Sequence, residues 1–191
     1  MSIVSGDNSY VIASAALTMI MTPGLGFFYG GMVNKKNMLT TIAYCFIVFS
    51  IVSVVWALIG FSLVFGDTTN SGFLGGCSHC GLLNVNGIPN ANYGPTVPVA
   101  SVFFFQLKFA AITPALILGT VTGRVKLSFF ALFTVVWTLI VYCPIAHWMW
   151  NVQGWANVWG IQDFAGGNVV HISSGTAALA CAIYLGKRKE K

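Results

Sequence analysis

Five long stretches of this chain carry almost no charge, and they limit what it can fold into more than any other feature. Residues 8–34, 37–66, 127–148 and 164–186 hold no Asp, Glu, Lys or Arg, and residues 97–122 hold only Lys108. Each reaches the roughly 20 residues that a helix needs to cross a hydrocarbon core about 30 Å thick. A chain in lipid must satisfy its own backbone polar groups, so these runs are expected to be helical. They are too long for barrel strands and do not alternate polar with apolar residues. Only 7% of the residues are charged, against about 25% in soluble domains. The expected fold is all-α: a polytopic membrane bundle of five transmembrane helices, near residues 10–33, 38–66, 97–122, 127–148 and 164–186.

Five spans put the two termini on opposite sides of the bilayer. With the N-terminus outside, Lys35, Lys36, Arg124, Lys126, Lys187, Arg188, Lys189 and Lys191 all fall inside, while Asp7, Asp67 and Asp163 fall outside. That sorting follows the positive-inside rule. It predicts a multi-pass cell-membrane protein with residue 191 in the cytoplasm. The first ten residues lack a basic segment, and Asp7 precedes the apolar run, so no cleavable signal peptide is expected. The net charge of +5 does not indicate nucleic acid: the basic residues cluster at turns, and no basic–aromatic tract exists.

The outer loop 67–96 is rich in Gly, Asn and Pro and contains Cys77-Ser-His79-Cys80. This C-x-x-C reads as half a metal site, a local disulfide or free thiols. No second pair follows, so no closed metal site is expected. Cys45, Cys143 and Cys181 lie in spans and read as small packing residues. No nucleophile–base pair or carboxylate dyad suggests an enzyme, and no cofactor is implied. A haem held by His147 and His171 would need both at one depth, and His147 sits at the outer end of its span.

Ionisable groups at membrane depth are functional candidates by default. Asp163 opens the last run, and His171 lies about 12 Å further along a helix of 1.5 Å rise per residue. Helical spacing puts Gly167, His171, Ser174 and Ala178 on one face, small apart from the imidazole. In the first run Gly26 and Gly30 form a G-x-x-x-G, which lets helix backbones approach closely, and Pro23 can kink the helix. Lys108 is rotated about 100° from Phe109, which turns it from that residue's face and lets it snorkel outward.

Four ordered motifs carry a resemblance: Gly26-Phe-Phe-Tyr-Gly-Gly31, Gln106-Leu-Lys-Phe109-Ala-Ala-Ile-Thr-Pro114, Pro144-Ile-Ala-His147-Trp-Met-Trp150, and Asp163-Phe-Ala-Gly-Gly-Asn-Val-Val-His171-Ile-Ser-Ser-Gly175. The chain resembles the ammonium transporter (Amt/Mep/Rh) family across its whole length. Val141–Pro144 and Asn151–Trp155 look closer to the microbial-eukaryote Mep-like branch. Gly123 departs from the family, many of whose members carry Glu before the arginine at 124.

The resemblance implies an eleven-helix bundle of two inverted five-helix repeats, assembled as a homotrimer. This chain would be the first repeat, and the second would be needed to complete the pore. By the same resemblance, Trp150 recruits ammonium on its ring face and Phe109 belongs to the outer gate. His171 is the first of two pore histidines. Asp163 supports the outer site electrostatically and at the start of the fifth helix. The implied function is ammonium/ammonia transport; an ammonium-sensing receptor built on the same pocket is the alternative.

Overall fold

Helices run where the charge-free stretches lie, and their interruptions fall at proline and glycine. The computed structural model describes residues 2–68 and 72–188. Lys189 and Lys191, counted in the charge sorting, lie outside the described residues. The first span is broken into α1 (Ser5–Met19) and α2 (Met21–Met32). Pro23 explains the break: it has no N–H for the carbonyl of Met19, four residues back, where α1 ends. Gly26 and Gly30 then press α2 against α3 (Met38–Val55). A Cβ at Gly30 would stand 3.0 Å from the Ile42 side chain, and one at Gly26 would stand 3.4 Å from Cys45. This is the close approach that the G-x-x-x-G spacing predicts.

A π-helical turn, Trp56–Gly60, carries α3 into α4 (Phe61–Phe65). The outer loop follows, with a short antiparallel pair, β1 (Pro89–Asn90) and β2 (Gly94–Pro98). These strands, with an isolated bridge between Thr68 and Gly75, depart from the all-helical expectation. Cys77 and Cys80 form a disulfide, with Cα atoms 5.0 Å apart, so the C-x-x-C is a local staple. The next span, α5 (Val99–Ala115), is the most enclosed and packs against α1, α2 and α3. It ends one residue past Pro114, and the short α6 (Leu118–Val121) reaches the inner turn.

The fourth span runs through α7 (Leu127–Trp137), a π turn (Thr138–Tyr142) and α8 (Cys143–Trp150). Pro144 deletes a ladder hydrogen bond to the π turn, which absorbs the mismatch. After a break at Asn151–Gly154 comes α9 (Trp155–Val158). The fifth span starts at Gly167, three residues later than the charge-free run, with a π turn (Gly167–Ile172) leading into α10 (Ser173–Leu185). Gly166 sets that start: its φ is +84°, and a Cβ there would lie 2.8 Å from Val170. All five spans are long and apolar enough to cross a membrane.

Candidate functional site

Three elements far apart in sequence meet at the outer end of the bundle. α5 brings Phe105, Gln106 and Phe109, the end of α8 brings Trp150, and the segment before the fifth span brings Asp163 and Phe164. With Phe65 and Tyr93 from either side of the outer loop, they line a cavity of about 450 Å³. The Phe109 and Trp150 ring centroids stand 6.2 Å apart, inclined at 70°, and Phe105 stacks edge-on to Phe109 at 5.0 Å. Trp150 is held from behind: its Nε1–H donates to the backbone carbonyl of Asp163 at 2.8 Å.

The Asp163 carboxylate is aimed at the fifth span. Oδ1 accepts from the Gly167 N–H at 2.6 Å, and Oδ2 accepts from Asn168 at 2.8 Å and Val169 at 3.0 Å. Those are orphan donors of a helix start, so the carboxylate works there as a cap. One residue thus fastens the helix that carries His171 and the ring of Trp150.

Gln106 and Tyr93 join the cavity without having been singled out from sequence. The Gln106 amide oxygen is buried with no hydrogen-bond partner. The Tyr93 hydroxyl donates to Nε2 of His79 at 3.0 Å, and Nδ1–H of His79 donates to the Leu83 carbonyl at 3.2 Å. Burial, and then the Asp67 carboxylate, push the Tyr93 hydroxyl up to about 12, against a lowering by an Asn90 hydrogen bond. It therefore stays a donor, and the loop staple Cys77–Cys80 brackets the histidine that receives it. Period and hydropathy hold no signal for this contact. Gln106 could have been found as an amide within an apolar span, since such polar groups are rare there.

His171 is not in this cavity. It is exposed, on the open side of the bundle. Its expected face is corrected as well: Ser174 is 2% exposed, and its hydroxyl donates to the Val170 carbonyl at 2.6 Å. The π turn is the cause. The His171 N–H bonds five residues back to Gly166 at 3.1 Å, so the turn is one residue wider and the α-helical register is lost. Gly167 and His171 are exposed, Ala178 is half-buried, and Ser174 faces inward.

Lys108 is corrected too. It does not snorkel outward: it is 3% exposed, with Nζ 4.3 Å from the Phe104 ring centroid and 5.5 Å from that of Phe49. It lines a separate apolar cavity with Ile12, Ala15, Ala16 and Met19 of α1, away from the one that Phe109 lines. His147 is fully buried: Nδ1–H donates to the Val64 carbonyl at 2.7 Å, and the Thr68 hydroxyl donates to Nε2 at 3.2 Å. Both ring nitrogens are used, so His147 ties α8 to the end of α4 and has none free to ligate iron. Among the described residues no group of three or more His, Cys, Asp or Glu could hold a metal.

The model described as Ammonium Transporter Family matches residues 9–191. A Bacillus subtilis protein named "Ammonium transporter" is 45% identical over 185 residues, which cover 97% of this chain and 45% of that relative. The crystal structure of Candida albicans Mep2 superposes with a TM-score of 0.89 at 36% identity, covering 97% of this chain and 40% of that one. A structure titled "Sensor Amt Protein" gives a TM-score of 0.84 at 27% identity, covering 95% and 44%. The chain spans less than half the length of each. The relatives' names describe transporters, not enzymes.

Proposed function

This chain belongs to the ammonium transporter family, and on that premise we propose that it supplies the N-terminal half of an ammonium/ammonia pore. The observation that carries the reading is the convergence of Phe109, Trp150 and Asp163 on one outer cavity. Ammonium is drawn to the ring face of Trp150 by cation–π attraction worth about 0.5–2 kcal/mol. A turn of the Gln106 side chain toward the cavity lets its amide oxygen accept one ammonium N–H and offset part of the lost hydration. Potassium, of similar size, donates no hydrogen bond, so a directional acceptor discriminates between them. Phe105 and Phe109 close the floor as a gate. At the gate the ion gives up its proton to water of the outer cavity, and neutral ammonia descends a lumen in which His171 donates or accepts a hydrogen bond. Asp163 acts on this path indirectly, through negative potential and through the helix start it caps.

The second five-helix repeat closes the other wall of the lumen, and three such chains assemble as a homotrimer. The N-terminus lies outside and the basic turns lie inside. A second reading is a sensor in which the same cavity reports ammonium. It is favoured by the similarity to a protein titled a sensor, and a signalling segment beyond the fifth span would support it.

The test is electrical. In a chain carrying both repeats, Trp150→Leu is expected to weaken apparent ammonium affinity roughly 2- to 30-fold, the equivalent of about 0.5–2 kcal/mol. An unchanged concentration dependence of the current would reduce Trp150 to an interfacial aromatic residue.

A further inference from the structure

The loop beside the outer cavity is stapled, strained and tied to the cavity wall. Cys77 and Cys80 are joined in a disulfide, with His79 between them. Cys77 is exposed and Cys80 half-buried, while His79 is buried. Just past the staple the backbone turns left-handed, at Gly81 with φ +60°, Leu82 with φ +67° and Asn84 with φ +57°. Glycine enters that region freely and asparagine readily, but leucine is strained there. Such strain persists only where the surroundings over-determine the backbone, and it gathers at switch regions. Residues 81–84 are exposed, so packing does little to hold them. The staple and the hydrogen bonds around it do: the Leu83 N–H donates to the Cys80 carbonyl at 3.2 Å, and the Asn84 amide donates to the Ser78 carbonyl at 3.0 Å.

This turn sets the position of a residue in the cavity wall. The Leu83 carbonyl accepts from Nδ1–H of His79, which leaves Nε2 of the same ring as the acceptor of the Tyr93 hydroxyl. The His79 backbone N–H is anchored separately, on Oγ of Ser62 in α4 at 2.8 Å. The Tyr93 ring lies against Phe65, with centroids 5.3 Å apart, and both rings line the outer cavity. The strained turn thus fixes the tautomer of His79, and the tautomer fixes Tyr93.

We propose that the Cys77–Cys80 disulfide is a redox modification site that controls the outer cavity through His79 and Tyr93, with dithiols as its reductants. On the proposed orientation the loop lies in the outer compartment, where disulfides persist until a reductant is supplied. A thiolate of the dithiol attacks the disulfide at the exposed Cys77 and forms a mixed disulfide, and Cys80 leaves as a thiolate. The second thiol of the reagent then closes the reagent's own disulfide and releases Cys77. Two electrons and two protons pass to the pair, and the dithiol is oxidised to its internal disulfide. With the staple open, Leu82 relaxes out of the left-handed region, the Leu83 carbonyl turns from His79, and Tyr93 loses its fixed acceptor. The cavity keeps Phe109, Trp150 and Asp163 but loses one ordered wall. This inference rests on the reading of that cavity as the ammonium site.

The test uses a chain carrying both repeats, in lipid, with dithiothreitol as the reductant. Differential alkylation and mass spectrometry read the thiols of Cys77 and Cys80. The nitrogen resonances of ring-labelled histidine, with His79→Gln to assign the His79 signal, read its hydrogen bond to Tyr93. Current titrations read ammonium. Dithiothreitol is expected to expose both thiols and shift the His79 Nε2 resonance. It should raise the half-saturating ammonium concentration about 2- to 10-fold, the effect of one lost neutral hydrogen bond, with the maximal current unchanged. Reoxidation should reverse each change. Cys77→Ser/Cys80→Ser, and Tyr93→Phe, which keeps the ring, should start at the weakened affinity and no longer respond to the reagent. Thiols that form without moving the His79 resonance would overturn the proposal, as would an unchanged half-saturating concentration or a pair that dithiothreitol leaves intact. A His79 resonance that shifts in a protein without ammonium current in any variant would uphold the redox tether and overturn the transport reading instead.

Discussion

A buried amide oxygen left without a partner costs about 1–3 kcal/mol, and Gln106 carries one beside the outer cavity. On the proposed reading, an ammonium N–H meets that oxygen and removes the cost. Gln106→Leu keeps nearly the same bulk, so it should leave stability unchanged or slightly raised. It should weaken apparent ammonium affinity roughly 10- to 100-fold, the range of a lost hydrogen bond to a charged group. Current titrations check the affinity and thermal unfolding checks the fold; equal affinities would remove the amide from the site. Lys108 shows the opposite balance. A cation at helix centre costs about 2.5–3.5 kcal/mol on insertion scales, and the Phe104 face returns up to about 2 kcal/mol. The net cost is small enough for a buried lysine to be tolerated one residue from Phe109. The sequence marked Lys108 as unusual but could not tell its direction, because the direction depends on which rings from α3 and α5 enclose it.

Proline and glycine mark where several of the elements bend or begin. Pro23 divides the first span, Pro144 follows a π turn, and Gly166 with Asp163 sets where the fifth span begins. The Asp163 cap is open to a direct measurement. Asp163→Ala removes the acceptor of three hydrogen bonds and should cost about 2 kcal/mol, at the upper end for a cap. For a chain of this length that lowers the Tm by about 4–8 °C. Asp163→Asn keeps one carbonyl acceptor and should lose about half as much. Thermal unfolding in detergent reads both. If neither variant changes the Tm while both weaken ammonium binding, the carboxylate acts on the ion and not on the helix. The Pro23 break was legible in the sequence, since it follows from a missing N–H, whereas the later start that Gly166 sets was not. The π turns were not, and they moved Ser174 off the face assigned to His171.

Across the whole molecule the enclosed helix is α5, while α2 and α10 leave wide apolar faces open, among them Phe27, Leu179 and Ile183. His171 lies on that open side. The chain is 191 residues long and spans less than half of the relatives it matches. On the half-pore proposal, residues 1–191 alone insert but do not conduct, and co-expression of the second repeat restores uptake. Liposomes containing the purified chain, assayed for ammonium-driven pH change, check this. Saturable transport by the chain alone would show that copies of this half build a pore together. The five helical spans and the kink at Pro23 followed from the sequence by itself, because a bilayer forces the backbone to bond within each apolar run and hydropathy marks the runs. The family's motifs also pointed to Phe109, Trp150 and Asp163. Only the tertiary structure decided that these meet with Gln106 and Tyr93, that His79 receives the Tyr93 hydroxyl, and that Lys108 turns toward α1 while Ser174 turns inward. Those outcomes depend on rotation about each helix axis, and that rotation is set by packing against neighbours and by wide turns, neither of which is written in local hydropathy.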